Sequence, residues 1–462
     1  MKLRRLGVLA VLVAVASLQC RRVEGVLRDP VEEEAEEAFV AYLRIDTTNP
    51  PGNETAGATF LRDLLVKNGI EARLVGSDPK RQGVYARLVS GSNEPALLLL
   101  SHIDVVPAEV SRWRNPPFAG TREAGYIWGR GALDDKSLTI AEVMALLDLK
   151  RRGAKLRRDV VLLAVPDEER GGLRGAKQLL DTQPELFRNV GFVLNEGGSN
   201  RTAVDRVLFW GIEVQQKVPL WLRLVAESPG GHGAAPRETR GAPAKLVTAL
   251  AAVDALPTPY RLTDTVARVA AKSAEMRPDR PALGLIREPL DTARIEAEMA
   301  LADKVILHDT IAITNLTAAG AVNVIPGRAT AEVDIRLVPG TDPAEMLERV
   351  RAAAGKNATV EVILAGEPSP DSPVDTELFD TVSRVLKKSA PGSNVAPVFN
   401  PGTSDSRFFR ARGITAYGIA PFKVNYYDVA SVHGDDERIR ARFFSDGVRV
   451  MREIVREFCE QQ

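Results

Sequence analysis

Strand-like apolar runs punctuate the first half of the chain, at residues 70–75, 84–89, 96–100, 160–165 and 190–194. Between and before them, residues 31–44, 55–68, 138–151 and 173–180 carry the spacing of amphipathic helices. The first of these opens on acidic residues and the second is stopped by Gly69. Apolar strands that alternate with helices predict a mostly parallel sheet covered on both faces. In such sheets the functional crevice lies beyond the carboxyl ends of the strands.

After about Gly211 the pattern changes. Residues 218–226, 311–314, 329–337 and 360–364 read as strands, and 242–255 and 343–353 as helices. In chain order this is strand, helix, strand, strand, helix, strand, the split pattern of a ferredoxin-like α+β sandwich. A mostly helical stretch from about Pro257 to His308 sits inside it without a place in the pattern. From Glu367 the first texture returns, with a helix at 376–388, strands at 395–399 and 414–419, and a long final helix expected from Asp436. A chain of 462 residues is too long for one ordinary core. The expected organisation is therefore a catalytic domain in two segments, 31–212 and 367–462, with a smaller domain, 213–366, inserted between them.

The N-terminus reads as a processing signal. Lys2, Arg4 and Arg5 precede a short apolar run over residues 7–18, shorter than the ~20 residues of a spanning helix. Cys20 follows the run as in a lipoprotein cleavage site, although Gln19 stands where a small residue is usual. Residues 1–20 are thus expected to direct export to the periplasm or medium, with or without a lipid on Cys20. A retained anchor is the other reading. The only other cysteine, Cys459, makes no disulfide framework with it. Sixty-one basic residues balance sixty-one acidic ones, so bulk charge gives no reason to expect nucleic acid or a membrane surface as partner.

Only four histidines occur, so their placement is informative: His102, His232, His308 and His433. His102 and Asp104 fall two apart at a strand end and share a face, as a metal ligand with its supporting carboxylate or as a structural pair. Asp134 and Asp135 are adjacent carboxylates at a loop-to-helix junction, where a cation or a helix N-terminus must offset their repulsion. Glu168 and Glu169 follow a strand through Pro166 and Asp167. One of them could bind metal while the other holds a water as general base, or the three acids could form a solvated turn. Glu196 closes a strand in NEGG, and His433, in SVHGDD, is expected just before the last helix. Each has an ordinary structural reading alone. Together they fall near one rim of one sheet, and two histidines with three carboxylates suit a two-zinc site, with a glutamate left over as base.

The segments HIDVVPA, GRGALDDK, PDEERGG, NEGG, GGHGAAP, NVIPGRATAEVDIR, PGTSDSRFF and SVHGDDE span nearly the whole mature chain. As a set they resemble the zinc-dependent amidohydrolases and exopeptidases that include carboxypeptidase G, aminoacylase and succinyl-diaminopimelate desuccinylase. The run WRNPPFAG with IWGRGALDDK is similar to the branch of carboxypeptidase S and the N-acyl-amino-acid hydrolases. The resemblance implies a zinc-exopeptidase α/β fold with a ferredoxin-like lid and dimerisation domain, and two zinc ions per subunit, which cobalt or manganese could replace. It implies Asp134 between the ions, His102 and Glu196 on one, Glu169 and His433 on the other, Glu168 as acid/base, and Asp104 behind His102. His232 matches a histidine that works in the partner subunit's active site, which implies a homodimer. Arg336 matches the arginine that grips the substrate carboxylate through its planar fork. Asn323 assists nearby, and Gly402, Thr403 and Ser404 match a loop that holds the carboxylate end. His308 matches no motif.

The implied reaction is hydrolysis of an amide next to a free carboxylate, in an N-acyl amino acid or a short peptide. A dipeptidase or carboxypeptidase is the alternative within enzymes. A metal-free exported binding homologue would lack ligands, and none is missing. The acyl side of the substrate is not readable from these motifs.

Overall fold

The computed structural model describes residues 29–461 except 204, 237–240, 278–279 and 319. The expected export segment, residues 1–20, and Cys20 lie outside the described residues. No helix among the described residues is long and apolar enough to cross a membrane.

A nine-stranded sheet forms the body of the molecule. Its strands run in the order Ala72–Val75, Gly83–Leu88, Val160–Val165, Ala96–His102, Val190–Asn195, Thr415–Gly418, Arg206–Gln216 and Asn394–Asn400, with Ser199–Ala203 paired off Arg206–Gln216. Ala96–His102 pairs in parallel with the strands on both sides, and Val190–Asn195 with Thr415–Gly418. Ala96–His102 and Val160–Val165 are buried at every residue. Their side chains alternate between two cores. Leu97, Leu99, Leu162 and Ala164 join helices Pro30–Leu43, Lys136–Arg151 and Ala441–Cys459, while Leu98, Leu100, Val161 and Leu163 meet Phe187, Phe408 and Phe409. Burial on both faces is why these strands read as unbroken apolar runs. Each such side chain contributes roughly 1.5–3 kcal/mol by leaving water.

A second, antiparallel sheet has the order Thr310–Thr317, Arg328–Leu337, Val218–Glu227, Thr359–Ala365. Helices Ala242–Asp254 and Pro343–Ala354 cover one face through Leu246, Leu250, Met346 and Val350. Helix Pro343–Ala354 begins where the Asp342 carboxylate accepts from the Ala344 N–H and ends at Gly355. The chain order of these elements is that expected of the split sandwich.

Three features differ from the sequence expectation. Strand Arg206–Gln216 stays in the large sheet, so the expected boundary at 212/213 falls inside it. The unplaced stretch 257–308 packs on the core of the large sheet: Val266, Val269, Leu283 and Ile295 join Val207 and Trp210 there. The Arg277 guanidinium lies 3.7 Å from the centre of the Phe209 ring. Finally, the last helix starts at Ala441 rather than Asp436, because Arg438–Arg440 pairs as a strand with Tyr126–Trp128 and Glu437 is buried. His433 therefore sits in a loop several residues before the helix.

Candidate metal centre

The sheet delivers its chemistry from the carboxyl ends of its parallel strands. His102 ends Ala96–His102; Glu168 and Glu169 follow Val160–Val165; Glu196 follows Val190–Asn195. Asp134 comes from the loop before helix Lys136–Arg151, and His433 from the loop after 429. His102 Nε2 lies 2.9 Å from Asp134 Oδ1, and His433 Nε2 lies 3.1 Å from Asp134 Oδ2. Each oxygen of one carboxylate thus faces a different histidine. His433 Nε2 is also 3.2 Å from Glu169 Oε2. Ligand atoms of His102, Asp134 and Glu169 lie within 4.8 Å of one another, as do those of His102, Glu168 and Glu196.

The electrostatics are those of a cation site. Burial pushes the Glu168 and Glu196 carboxyls well above their ordinary range, and neighbouring carboxylates push them further. Burial opposes charge on Asp134, yet its hydrogen bonds with His102 and His433 hold it well below the usual value. His433 is pushed up to about 11 by Asp134 and Glu169. Burial works against a charged His102, but Asp134 outweighs it and raises the imidazole well above its ordinary value. Four carboxylates around two imidazoles need positive charge, which protons or metal cations must supply. The donor set of nitrogen and oxygen ligands fits zinc or a similar transition metal.

The supporting contacts revise one expected detail. His102 Nδ1 donates to the backbone carbonyl of Asp104 at 2.8 Å, which leaves Nε2 for Asp134. The Asp104 carboxylate is farther, at 3.7 Å. It accepts instead from the backbone N–H groups of Glu168 (3.1 Å) and Glu169 (3.2 Å) and from Asn49 Nδ2 (2.9 Å). Asp104 therefore steadies both the histidine and the glutamate turn. That turn is no solvated acidic loop, since Asp167 is buried and paired with Arg81 at 2.8 Å. Asp135 sits at the helix N-cap position, but its side chain makes no cap hydrogen bond.

Sequence reasoning missed Glu437. Its Oε2 accepts from Arg130 Nη1 (2.7 Å) and the Gly131 N–H (2.9 Å), and its Oε1 from the N–H groups of Leu133 (2.8 Å) and Asp134 (3.1 Å). Arg130 also donates to the carbonyl of Gly434 at 2.8 Å. One buried ion pair thus clamps the loop carrying Asp134 to the loop carrying His433. Beside Asp435 and Asp436, nothing local distinguishes this acid as buried.

The substrate-side residues are more dispersed. Arg336 is held by its strand neighbour Asp334, through Nε at 2.7 Å and Nη2 at 3.0 Å, while its buried Nη1 has no hydrogen-bond partner among the described residues. Thr403 Oγ1 accepts from Arg407 Nη1 at 2.7 Å, and Gly402 N–H donates to Asn400 Oδ1 at 2.8 Å. Ser404 is fully buried, and both its N–H and hydroxyl donate to Gln216 Oε1. Its hydroxyl donor is therefore spent within the fold, against the expectation that it grips substrate. Gln216 and Arg407, which also donates to the Gly171 carbonyl at 2.6 Å, were not anticipated. His232 is exposed on a two-residue ladder opposite Val324, and the Gly233 N–H donates to the carbonyl of Asn323. Among the described residues, neither His232 nor Asn323 forms a hydrogen bond or ion pair with the histidine–carboxylate cluster. His308 donates no ligand to it either and packs edge-on against Tyr260.

A mostly parallel sheet with a histidine–carboxylate cluster on its rim and a lid sheet beside it defines a metal-dependent hydrolase. The chain belongs to peptidase family M20/M25/M40, whose model matches residues 98–457. It is 32% identical over 373 residues to the N-fatty-acyl-amino acid synthase/hydrolase PM20D1 of Xenopus tropicalis, covering 77% of this chain and 72% of that protein. It is 27% identical to Aminoacylase-1 of Homo sapiens over 423 residues, 89% of this chain and 92% of that one. Its fold is similar to that of the M20 family metallo-carboxypeptidase Sso-CP2 from Sulfolobus solfataricus, with a TM-score of 0.73 at 21% identity, covering 91% of this chain and 98% of the other.

Proposed function

We propose that this protein hydrolyses the amide bond of an N-acyl amino acid or short peptide next to a free carboxylate, using two zinc ions per subunit. The observation that carries the reading is Asp134, which offers one oxygen toward His102 and the other toward His433. In this reading His102 and Glu196 complete one metal site, Glu169 and His433 the other, and Asp134 serves both. When bound, the metals supply Lewis acidity toward the carbonyl and lower the pKa of water.

The rest falls to the chain. Glu168 is buried, with its carboxyl raised by burial and by Glu196, which suits a group that must take a proton and return it. It accepts the proton of the attacking water and delivers it to the amide nitrogen as the bond breaks. Asp104 holds the Glu168 backbone in place. Arg336, whose Nη1 has no hydrogen-bond partner among the described residues, takes the substrate carboxylate, with Asn323 and the Gly402–Thr403 turn assisting. His232 polarises the carbonyl from a partner subunit. The exposed Ile313 and Leu316 on the edge strand Thr310–Thr317 support a homodimer through the lid. The likeness to an N-fatty-acyl-amino acid synthase/hydrolase and to Aminoacylase-1 favours N-acyl amino acids over dipeptides as the substrate class.

Glu168→Ala should keep its metal while turnover falls roughly 10²- to 10⁴-fold, the usual contribution of a general base. Retention of most activity would show that the base is another group. Mixing His232→Ala with Glu168→Ala protein should restore activity through hybrid dimers, and no restoration under subunit exchange would refute action across subunits.

A further inference from the structure

The lid sheet reaches the glutamate turn at Gly171. A Cβ built there would lie 2.6 Å from Leu364 Cδ2 and 3.2 Å from its Cδ1, so the Leu364 side chain rests where any other residue would displace it. Leu364 is 3% exposed, yet among the described residues it joins none of the three apolar cores. A bulge aims it at the turn. On strand Val218–Glu227, Leu220, Leu222 and Leu224 face the lid helices, so Trp221 lies on the opposite face. Thr359–Ala365 pairs Val360 with Leu224 and Val362 with Leu222, but Leu364 with Trp221, because the register shifts past Ile363. The extra residue turns Leu364 away from the helices, onto the face of Trp221, Asp334 and Arg336. Gly171 in turn closes the loop that carries Glu168 and Glu169. Its N–H donates to the Glu168 carbonyl at 2.8 Å, and its φ of +97° favours glycine. From the body of the molecule, Arg407 Nη2 donates to the Gly171 carbonyl at 2.6 Å, and a Cβ on Gly172 would collide with Asp405 Oδ1. The two glycines thus let the body and the lid both close on the turn.

We infer that Leu364 is a positioning residue: the lid seats it on Gly171 and thereby fixes the turn from which Glu168 takes and returns its proton. The inference rests on the amide hydrolysis proposed above. The lid face that offers Arg336 to the substrate carboxylate is the one that offers Leu364 to the turn, so one sheet grips the substrate and sets the base. A displacement of about 1 Å at a reacting group can cost on the order of 100-fold in rate. Leu364→Ala, which leaves Gly171 without this lid contact, should therefore lower kcat roughly 10- to 100-fold with KM nearly unchanged.

The test compares variants at saturating zinc on one N-acyl amino acid. Leu364→Ala should show the fall in kcat, and Leu364→Met, which conserves volume, should recover most of it. Val362→Ala, an exposed neighbour on the helix face of the same strand, should match wild type. Hydrogen exchange of the full chain without zinc gives a readout independent of turnover. Peptides over residues 166–174 should exchange faster in Leu364→Ala, and those from Ala441–Cys459 at the wild-type rate. Gly171→Ala should also cost a smaller factor in the Leu364→Ala background than in wild type, because the side chain it would strike is gone. Should Leu364→Ala fail to fold, Leu364→Val supports the same comparison with a smaller fall. A variant that melts lower but keeps its kcat and the exchange of the turn would overturn the inference and leave the hydrolysis standing. No hydrolysis of any N-acyl amino acid or short peptide by zinc-loaded wild type would remove the proposed function, and the inference with it.

Discussion

Replacing Glu437 with glutamine tests how the two halves of the metal centre are held together. Both Glu437 and Arg130 are almost fully buried. Two carboxylate oxygens serve four donors, at 2.7, 2.9, 2.8 and 3.1 Å. A glutamine keeps the shape but turns one oxygen into an NH₂ donor, so in either orientation two donors lose their acceptor. If the remaining oxygen stays with Arg130, the N–H groups of Leu133 and Asp134 are orphaned, at ~1–3 kcal/mol each. If it turns the other way, Arg130 Nη1 and the Gly131 N–H lose their acceptor instead, and in both orientations the neutral amide takes away the buried counter-charge of Arg130, a loss that typically costs ~3–5 kcal/mol. The two routes agree on a loss of about 3–5 kcal/mol. At ~2–4 °C per kcal/mol for chains somewhat smaller than this one, the melting temperature should fall by on the order of 5–10 °C. Because the Asp134 N–H and the Gly434 carbonyl both hang on this pair, metal affinity should fall roughly 10- to 100-fold, as for other groups that orient ligands. Thermal melts of metal-free protein and competition with a chromophoric chelator read the two effects separately. A Glu437→Gln protein that melts within about 1 °C of wild type and competes equally for metal would refute the clamp.

Protonation gives a second prediction. In the metal-free protein Asp134 and Glu169 push His433 up to about 11, so it is protonated at pH 7, and Asp134 raises His102 as well. A ligating imidazole must be neutral, so zinc addition at pH 7 should release protons, and affinity should fall as pH is lowered. Calorimetry in buffers of different ionisation enthalpy would show this, and no proton release would contradict the assigned histidines. Gly198→Ala should cost ~1–3 kcal/mol by overpacking. A Cβ there would lie 2.4 Å from Ile419 Cα and 2.6 Å from the Ala420 nitrogen, both backbone atoms. The displaced NEGG turn should lower both melting temperature and metal content, and an unchanged protein would show that the turn has slack.

How much of this was legible in the sequence depended on whether a residue's partners were near it in the chain. The strands Ala96–His102 and Val160–Val165 announce themselves because burial on both faces demands unbroken apolar runs. His102, Asp134, Glu168, Glu169, Glu196 and His433 could be gathered by placing each at a strand end or loop. The start of the last helix could not be read. An acidic Asp436–Glu437 looks like a helix N-terminus, but Glu437 is committed to N–H groups some three hundred residues earlier. Ser404 has the look of a substrate donor, yet its hydroxyl belongs to Gln216 at the end of a distant strand. The two-residue spacing of His102 and Asp104 is legible in the sequence, while the hold of the Asp104 carboxylate on the Glu168 turn depends on a crossing between neighbouring strands that no local pattern encodes. Residues 257–308 lacked a place because their apolar side chains complete the core of the large sheet rather than the lid.

The central claim is that Asp134 lies between two metal ions. Crystals grown with zinc, measured at the zinc absorption edge, test it directly. The account predicts two anomalous peaks about 3.5–4 Å apart, one beside His102 and Glu196, the other beside Glu169 and His433, with an Asp134 oxygen against each. A single peak, or two peaks that do not share Asp134, would contradict it.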